Sequence, residues 1–284
     1  MRIVKIQIDQ APHLGIVTDQ GIKDITTRLG TASLKDLLAN DEIRNVASDQ
    51  KSWEIDYPTE SVQFLSLAEP TSKIICVGVN YHNRNEEYKD GSAAPAYPSV
   101  FPRFPQSFVG HAEPIICPLA ESDQLDYEGE IALIIGKKGR RIAKHQAHEH
   151  IAGLTCLNEG SVRDWIRHGK FNVTQGKNFD SSGSIGPWML TSDEIDSFDD
   201  LEIITRVNGE QRQRDNTRHL MFPFDDLIQY ISRWTTLEPG DIISTGTPIG
   251  AGIRFDPPRF LKQGDVVEVE VPQIGILRNT IKNG

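Results

Sequence analysis

The stretch that most limits how this chain can fold is Leu125-Asp126-Tyr127-Glu128-Gly129-Glu130, because it runs straight into the apolar residues Ile131-Ala132-Leu133-Ile134-Ile135 before Gly136. The apolar run is short enough for a core strand. On a strand, residues two apart point to the same face, so Glu128 and Glu130 project side by side. Two carboxylates on one face repel unless something positive lies between them. A hard divalent cation is the simplest such partner, since magnesium, manganese and calcium prefer oxygen ligands. A solvated strand face is the plainer alternative, and these two residues alone leave both readings open. The context adds weight to the cation. A second apolar run, Ile151 to Leu157, ends in Asn158-Glu159 and so brings a third acid to a strand end. Further along stand Lys177, within Gln175-Gly176-Lys177-Asn178-Phe179-Asp180, and the hydroxyl-bearing tight turn Thr245-Gly246-Thr247-Pro248.

Composition narrows the class. The 284 residues are 38% hydrophobic and 25% charged, which allows a packed core and argues against disorder. A formal net charge of −10 repels phosphate backbones and basic-patch membrane binding, so neither nucleic acid nor membrane is an expected partner. No apolar stretch approaches the roughly 18 residues that a spanning helix needs. The N-terminal MRIVKIQIDQ lacks the apolar core of a signal peptide, and cytoplasm is the expected location. Cys76, Cys117 and Cys156 lie far apart and form no zinc-type pattern; each reads as a buried small hydrophobe.

Val4, Ile6 and Ile8 alternate with polar residues as in a half-buried strand, and Leu14 to Val17 follow as a second. Thr18-Asp19-Gln20-Gly21 reads as a turn, and Ser33 caps a short helix carrying Leu34, Leu37 and Leu38. Ser48 to Ser52 reads as a loop. Residues 1–66 thus form a small β-rich N-terminal domain, and 67–284 the larger unit. There, Ile74 to Val79 predicts a buried strand, and Gly91 to Pro105, with four prolines, predicts a long loop. Phe224 to Trp234 is helical in spacing, and Val266 to Val271 predicts a late strand. Among weaker signals, His145, His148 and His150 are expected on a solvated helix face, and Gly136 to Arg141 in a solvated basic turn. His168 or Arg167 is a candidate to line a pocket, with Trp165 in the core. No Gly-x-Ser-x-Gly or Gly-x-Gly-x-x-Gly pattern occurs, which removes serine hydrolases and dinucleotide enzymes.

Several pieces fall in an order that resembles the fumarylacetoacetate hydrolase family. They are Gly78-Val79-Asn80-Tyr81, Asp126-Tyr127-Glu128-Gly129-Glu130, Asn158 to Asp164, Gly176 to Asp180, Gly186-Pro187-Trp188, Val207-Asn208-Gly209 and Ser244 to Gly250. The resemblance covers roughly residues 70 to 280. It implies an α+β, mostly β fold: a mixed β-sheet roll, preceded here by the small N-terminal domain. It also implies one Mg²⁺ or Mn²⁺ per chain, a homodimer, and chemistry at carbon–carbon bonds beside a 2-oxo acid group. The metal ligands fall on Glu128, Glu130 and Glu159, the last standing where many relatives carry aspartate. Lys177 matches a lysine near the substrate oxygen, and Arg163 an arginine that supports the site or its carboxylate partner. Tyr81 belongs to the substrate site, and Thr245 and Thr247 are expected to fix the substrate carboxylate. Many relatives place a histidine and a glutamate on a lid segment to activate water. Here the histidine position holds Arg84, while Glu87 remains. A guanidinium stays protonated and cannot act as that base. Arg84 is therefore expected to bind a substrate carboxylate or pair with Glu87, with His82 as the replacement base.

The expected function is hydrolytic carbon–carbon cleavage of an acylpyruvate-type substrate through a metal-stabilised enolate. Decarboxylation or isomerisation of a 2-oxo dicarboxylate passes through the same enolate. A non-catalytic relative that binds metal or dicarboxylate is the reading from another class.

Overall fold

The computed structural model describes residues 1–40, 42–83, 95–169 and 172–284. Fourteen strands of three or more residues are numbered here in chain order. β1 (Arg2–Ile8), β2 (Ala11–Thr18) and β3 (Gly21–Asp24) open the chain, followed by helices α1 (Ile25–Leu29), α2 (Leu34–Ala39) and α3 (Glu42–Asp49). Next come β4 (Ile74–Val77), β5 (Val100–Arg103), β6 (Ile115–Cys117), β7 (Gly129–Ile135), β8 (Ile151–Asn158), the short α4 (Thr174–Lys177) and β9 (Gly183–Thr191). The chain ends with β10 (Glu202–Val207), β11 (Glu210–Asn216), α5 (Phe224–Trp234), β12 (Ile242–Ser244), β13 (Val266–Val271) and β14 (Gly275–Asn283).

One mixed sheet runs β3-β2-β1-β9-β8-β7-β12-β4-β5, and a second runs β11-β10-β13-β14-β6. The continuous apolar run of β7 exists because both of its faces are covered. Ile131, Leu133 and Ile135 join a core with Leu227, Ile228 and Ile231 of α5 and with Val269 and Leu277 of the second sheet. Ala132 and Ile134 point the other way, into a core with Ile3, Leu14, Leu34, Leu37, Leu38 and Val46. The mostly β, mixed-sheet expectation is met.

The N-terminal strands continue the large sheet, because β1 pairs antiparallel with β9 (Arg2↔Leu190, Ile3↔Met189). Ser33 caps α2 by accepting from the Asp36 N–H, as its sequence position predicts.

Two expectations need correction. Ser48 to Ser52 is no loop: α3 runs through Asp49, and a 3₁₀ turn covers Gln50–Ser52. The helix is amphipathic on a narrow stripe, with Val46 its one buried residue, so little apolar periodicity marks it. Within the proline-rich segment, Val100–Arg103 is a strand that pairs with β4 and sets Pro102 opposite Ile75. Proline is tolerated there because β5 lies at the sheet edge, where a missing N–H breaks no further ladder. The three cysteines are buried and free, as expected.

Candidate metal centre

The antiparallel register of β7 and β8 pairs Gly129 with Asn158 and Glu130 with Leu157. One step further, Glu128 faces Glu159, and the Glu159 N–H donates to the Glu128 carbonyl at 2.8 Å. The two strand ends thus deliver Glu128, Glu130 and Glu159 to one place. One carboxylate oxygen from each lies within 4.8 Å of the others, and all three residues are buried. Gly129 separates the two glutamates for a steric reason. A Cβ there would lie 1.9 Å from Thr205 Oγ1 of β10, because the second sheet presses directly on this point. Gly160, just after Glu159, is similarly required, since its Cβ would meet the Ser182 carbonyl at 1.7 Å.

Every acid is held from behind. Glu130 accepts from the Ser244 hydroxyl and from the Gly246 N–H at 2.9 Å. Gly246 has φ 98°, and its lack of a side chain admits Asn80. Asn80 itself ties the turn down by donating to the carbonyls of Thr245 and Phe222. The Glu128 N–H donates to Asn158 Oδ1 at 3.0 Å. Arg163 bridges Asp126 (2.7 Å) and Glu128 (2.6 Å), and Lys177 Nζ lies 2.7 Å from Glu128 and 3.3 Å from Glu159.

The electrostatics are those of crowded buried acids. Burial, then Glu159 and Glu128, raises the Glu130 carboxyl well above its usual range. Burial also raises Glu159, with Lys177 opposing and Glu128 adding. Burial alone would lower the Lys177 ammonium, but Glu128 and Glu159 overcome it and raise it. Glu159 Oε1 is buried without a hydrogen-bond partner. Three carboxylate oxygens gathered at this spacing fit a hard cation whose ligands sit about 2.0–2.6 Å away.

A cavity of about 720 Å³ reaches this cluster, with Glu128, Glu159, Arg163, Lys177, Phe101 and Thr247 among its lining residues. Of the residues expected to touch substrate, only some are brought here. Arg163 lines the cavity, and its guanidinium donates to Asp126 through Nε and to Glu128 through Nη2. Thr247 also lines it, yet its hydroxyl donates to the Gly129 carbonyl and accepts from Gln213. Thr245 lies behind the wall and donates to the Ile131 carbonyl. Tyr81 is fully buried in the core, and His82 is exposed and away from the cavity lining. Arg84 and Glu87 lie outside the described residues. Arg167 lines the cavity; His168 instead packs on Trp165. His148 is exposed against Phe198, but His150 is buried with Nδ1 2.8 Å from the Lys137 carbonyl, so the histidine segment is not a wholly solvated face.

Arg103 leaves little sign in the sequence. This fully buried guanidinium lies over the Phe108 ring, donates to the Gly160 carbonyl and Ser182, and comes within 4.0 Å of Glu159. Its one signal is a charge inside an aromatic and proline-rich segment. Gln213, which joins the Gly129 N–H to Thr247, carries no signal at all.

The sequence and the fold match a known family. The model of the fumarylacetoacetate (FAA) hydrolase C-terminal domain matches residues 73–282, and the chain belongs to the fumarylacetoacetate hydrolase family. The rat protein "oxaloacetate tautomerase Fahd2a, mitochondrial" is 36% identical over 290 residues, covering 99% of this chain and 91% of its own. A fumarylacetoacetate hydrolase from Exiguobacterium antarcticum superposes with a TM-score of 0.88 at 32% identity, covering 100% of both chains. A maleylpyruvate hydrolase from Sphingobium sp. SYK-6, solved with manganese(II) and pyruvate, gives 0.83 at 27% identity, also over 100% of both.

Proposed function

We propose that the protein is a divalent-metal-dependent enzyme that interconverts the keto and enol forms of a small 2-oxo acid, with oxaloacetate the first substrate to test. The observation that carries this reading is the buried trio Glu128, Glu130 and Glu159, with Lys177 between Glu128 and Glu159 where those two line a cavity. Support for this particular reaction comes from the tautomerase relative, aligned over nearly the whole chain.

Keto–enol interconversion moves one proton between C3 and the C2 oxygen, and nothing is added or lost. Mg²⁺ or Mn²⁺ held by the trio would supply Lewis-acid stabilisation of negative charge on that oxygen. Lys177, its ammonium kept protonated by Glu128 and Glu159, is a hydrogen-bond donor and fixed positive charge rather than a base. Arg163 holds the Glu128 carboxylate in place. The edge strand β5, carrying Phe101 and Pro102, walls the cavity against water.

Hydrolysis of an acylpyruvate is the second reading, supported by the likeness to the Exiguobacterium hydrolase. Arg84 at the position of the water-activating histidine weighs against it. A panel of oxaloacetate, acetylpyruvate and fumarylpyruvate with Mg²⁺, Mn²⁺ or EDTA, followed by ultraviolet absorbance and product mass, separates them. Metal-dependent loss of the enol band without a change of mass supports tautomerisation; acetate or fumarate released together with pyruvate supports hydrolysis, and pyruvate with CO₂ from oxaloacetate supports decarboxylation. Tight cation binding with no turnover of any member would mark a non-catalytic binder.

A homodimer is part of the same proposal, and sedimentation velocity tests it. Among the described residues no helix is long and apolar enough to cross a membrane. Because the rat relative is named as mitochondrial, a cytoplasmic location is likewise a proposal, for cell fractionation to test.

A further inference from the structure

The cations near the acidic trio are not equivalent. Arg103 is spent on backbone and Ser182, Arg163 on Asp126 and Glu128, and Lys177 on Glu128 and Glu159. Arg254, which also lines the cavity, is engaged as well. Arg167 differs. It lines the same cavity, its residue is exposed, and among the described residues its guanidinium meets no carboxylate. A solvated surface arginine needs no fixed mounting, yet this one has it. Arg167 ends the 3₁₀ turn Trp165–Arg167, whose first N–H is capped by Asp164 and whose Trp165 ring packs edge-on against Phe179 at 5.1 Å. The turn lies directly on α4, the helix that carries Lys177. A Cβ on Gly176 would come within 2.5 Å of the Ile166 N–H nitrogen, so only glycine allows the two elements this close. Beside them, Asn172 uses its side-chain carbonyl to hold Thr174, which leaves its amide donors unclaimed among the described residues.

We infer that Arg167 receives a second, distal carboxylate of the substrate, which makes the preferred class 2-oxo dicarboxylates over 2-oxo monocarboxylates. The inference rests on the 2-oxo acid reading above. A planar guanidinium suits this task because it grips a carboxylate with two parallel N–H bonds. The packing of its turn on α4 puts it in the same cavity wall as Lys177.

The test compares oxaloacetate with 2-oxobutyrate, a chain of equal length ending in methyl, by calorimetry on the manganese-loaded full-length protein. The wild type is expected to prefer oxaloacetate by about tenfold or more, the worth of one charge-assisted hydrogen-bonded contact. Arg167→Ala should erase that preference while leaving 2-oxobutyrate and Mn²⁺ affinities unchanged, and Arg167→Lys should restore part of it. Equal losses for both ligands, or no change for either, overturn the inference and leave the 2-oxo acid reading standing. Failure of the wild type to bind either ligand overturns that reading, and this inference with it.

Discussion

Glu69 and the trio Glu128, Glu130 and Glu159 are all buried acids, yet their surroundings are opposite. Glu69 is saturated with donors: Lys5 Nζ at 2.9 Å, the Ser33 hydroxyl at 3.0 Å, and the Leu34 and Lys35 N–H groups at 3.0 and 3.2 Å. Burial pushes its carboxyl up, but Lys5 and the two N–H groups more than offset this and lower it. It closes the N-terminus of α2 and ties Lys5 of β1 to the loop leading into β4. The trio, by contrast, crowds three buried acids within 4.8 Å of one another, and Glu130 and Glu159 are raised. One arrangement is complete within the chain. The other calls for a charge from outside. Burial of an acid therefore says little by itself; whether other acids crowd against it separates the two surroundings.

The most drastic way to break this comparison is to part the two regions. A boundary at residue 66 is a proposal, and deletion of 1–66 tests it. That deletion would bare the face of Ala132, Ile134, Leu157, Ile185 and Met189 and strip Glu69 of its donors. Each large apolar side chain returned to water costs about 1.5–3 kcal/mol, which together rivals a typical total stability of about 5–15 kcal/mol. The remaining chain is expected to be insoluble or to lose its cooperative melt. A soluble 67–284 fragment that unfolds cooperatively would support an independent larger domain.

Glu130→Gln comes next in size. Cation affinity, followed by Mn²⁺ titration, should fall at least about 100-fold and turnover with it. The sign for stability is the informative part. A raised carboxyl means that the folded state holds its proton more tightly than the unfolded one, so stability is lost as pH rises through the folded value. Removing that charge should leave the EDTA-treated protein's Tm at pH 7 unchanged or higher. A large drop in Tm would show that Glu130 is structural like Glu69, and the contrast would fail.

Glu69→Gln should do the reverse: turnover per folded molecule intact, but stability lower by about 2 kcal/mol at pH 7. Because the folded-state carboxyl is lowered, its contribution is present above the unfolded value near 4.5 and is lost as pH falls through the lower folded one. The stability gap between wild type and variant should therefore close in acid, as chemical denaturation from pH 7 down to pH 3 would reveal. A gap that persists at pH 3 would point to lost packing rather than charge.

Much of this fold and centre is legible in the amino-acid sequence. β7 announces itself because a strand covered on both faces is apolar without alternation, and Glu159 because it follows an apolar run of strand length. What stays hidden depends on distant partners or on local rules that point the wrong way. Pro102 makes β5 look like loop, since nothing in the sequence says that it lies at an edge. The hydroxyls of Thr245 and Thr247 look available for substrate, but the carbonyls that claim them belong to residues more than 100 positions away. Arg103 and Gln213 escape notice for the same reason: a residue that acts through other residues leaves its mark only in three dimensions.

The contact between Gly129 and Thr205 has a consequence for anyone who would move this chemistry elsewhere. A protein engineer who grafts the acidic residues onto a foreign hairpin, copying each carboxylate faithfully, transfers only half of the device. The spacing letter between the two glutamates is dictated by a neighbour seventy-six positions downstream, so the recipient scaffold must bring its own layer pressed against that gap.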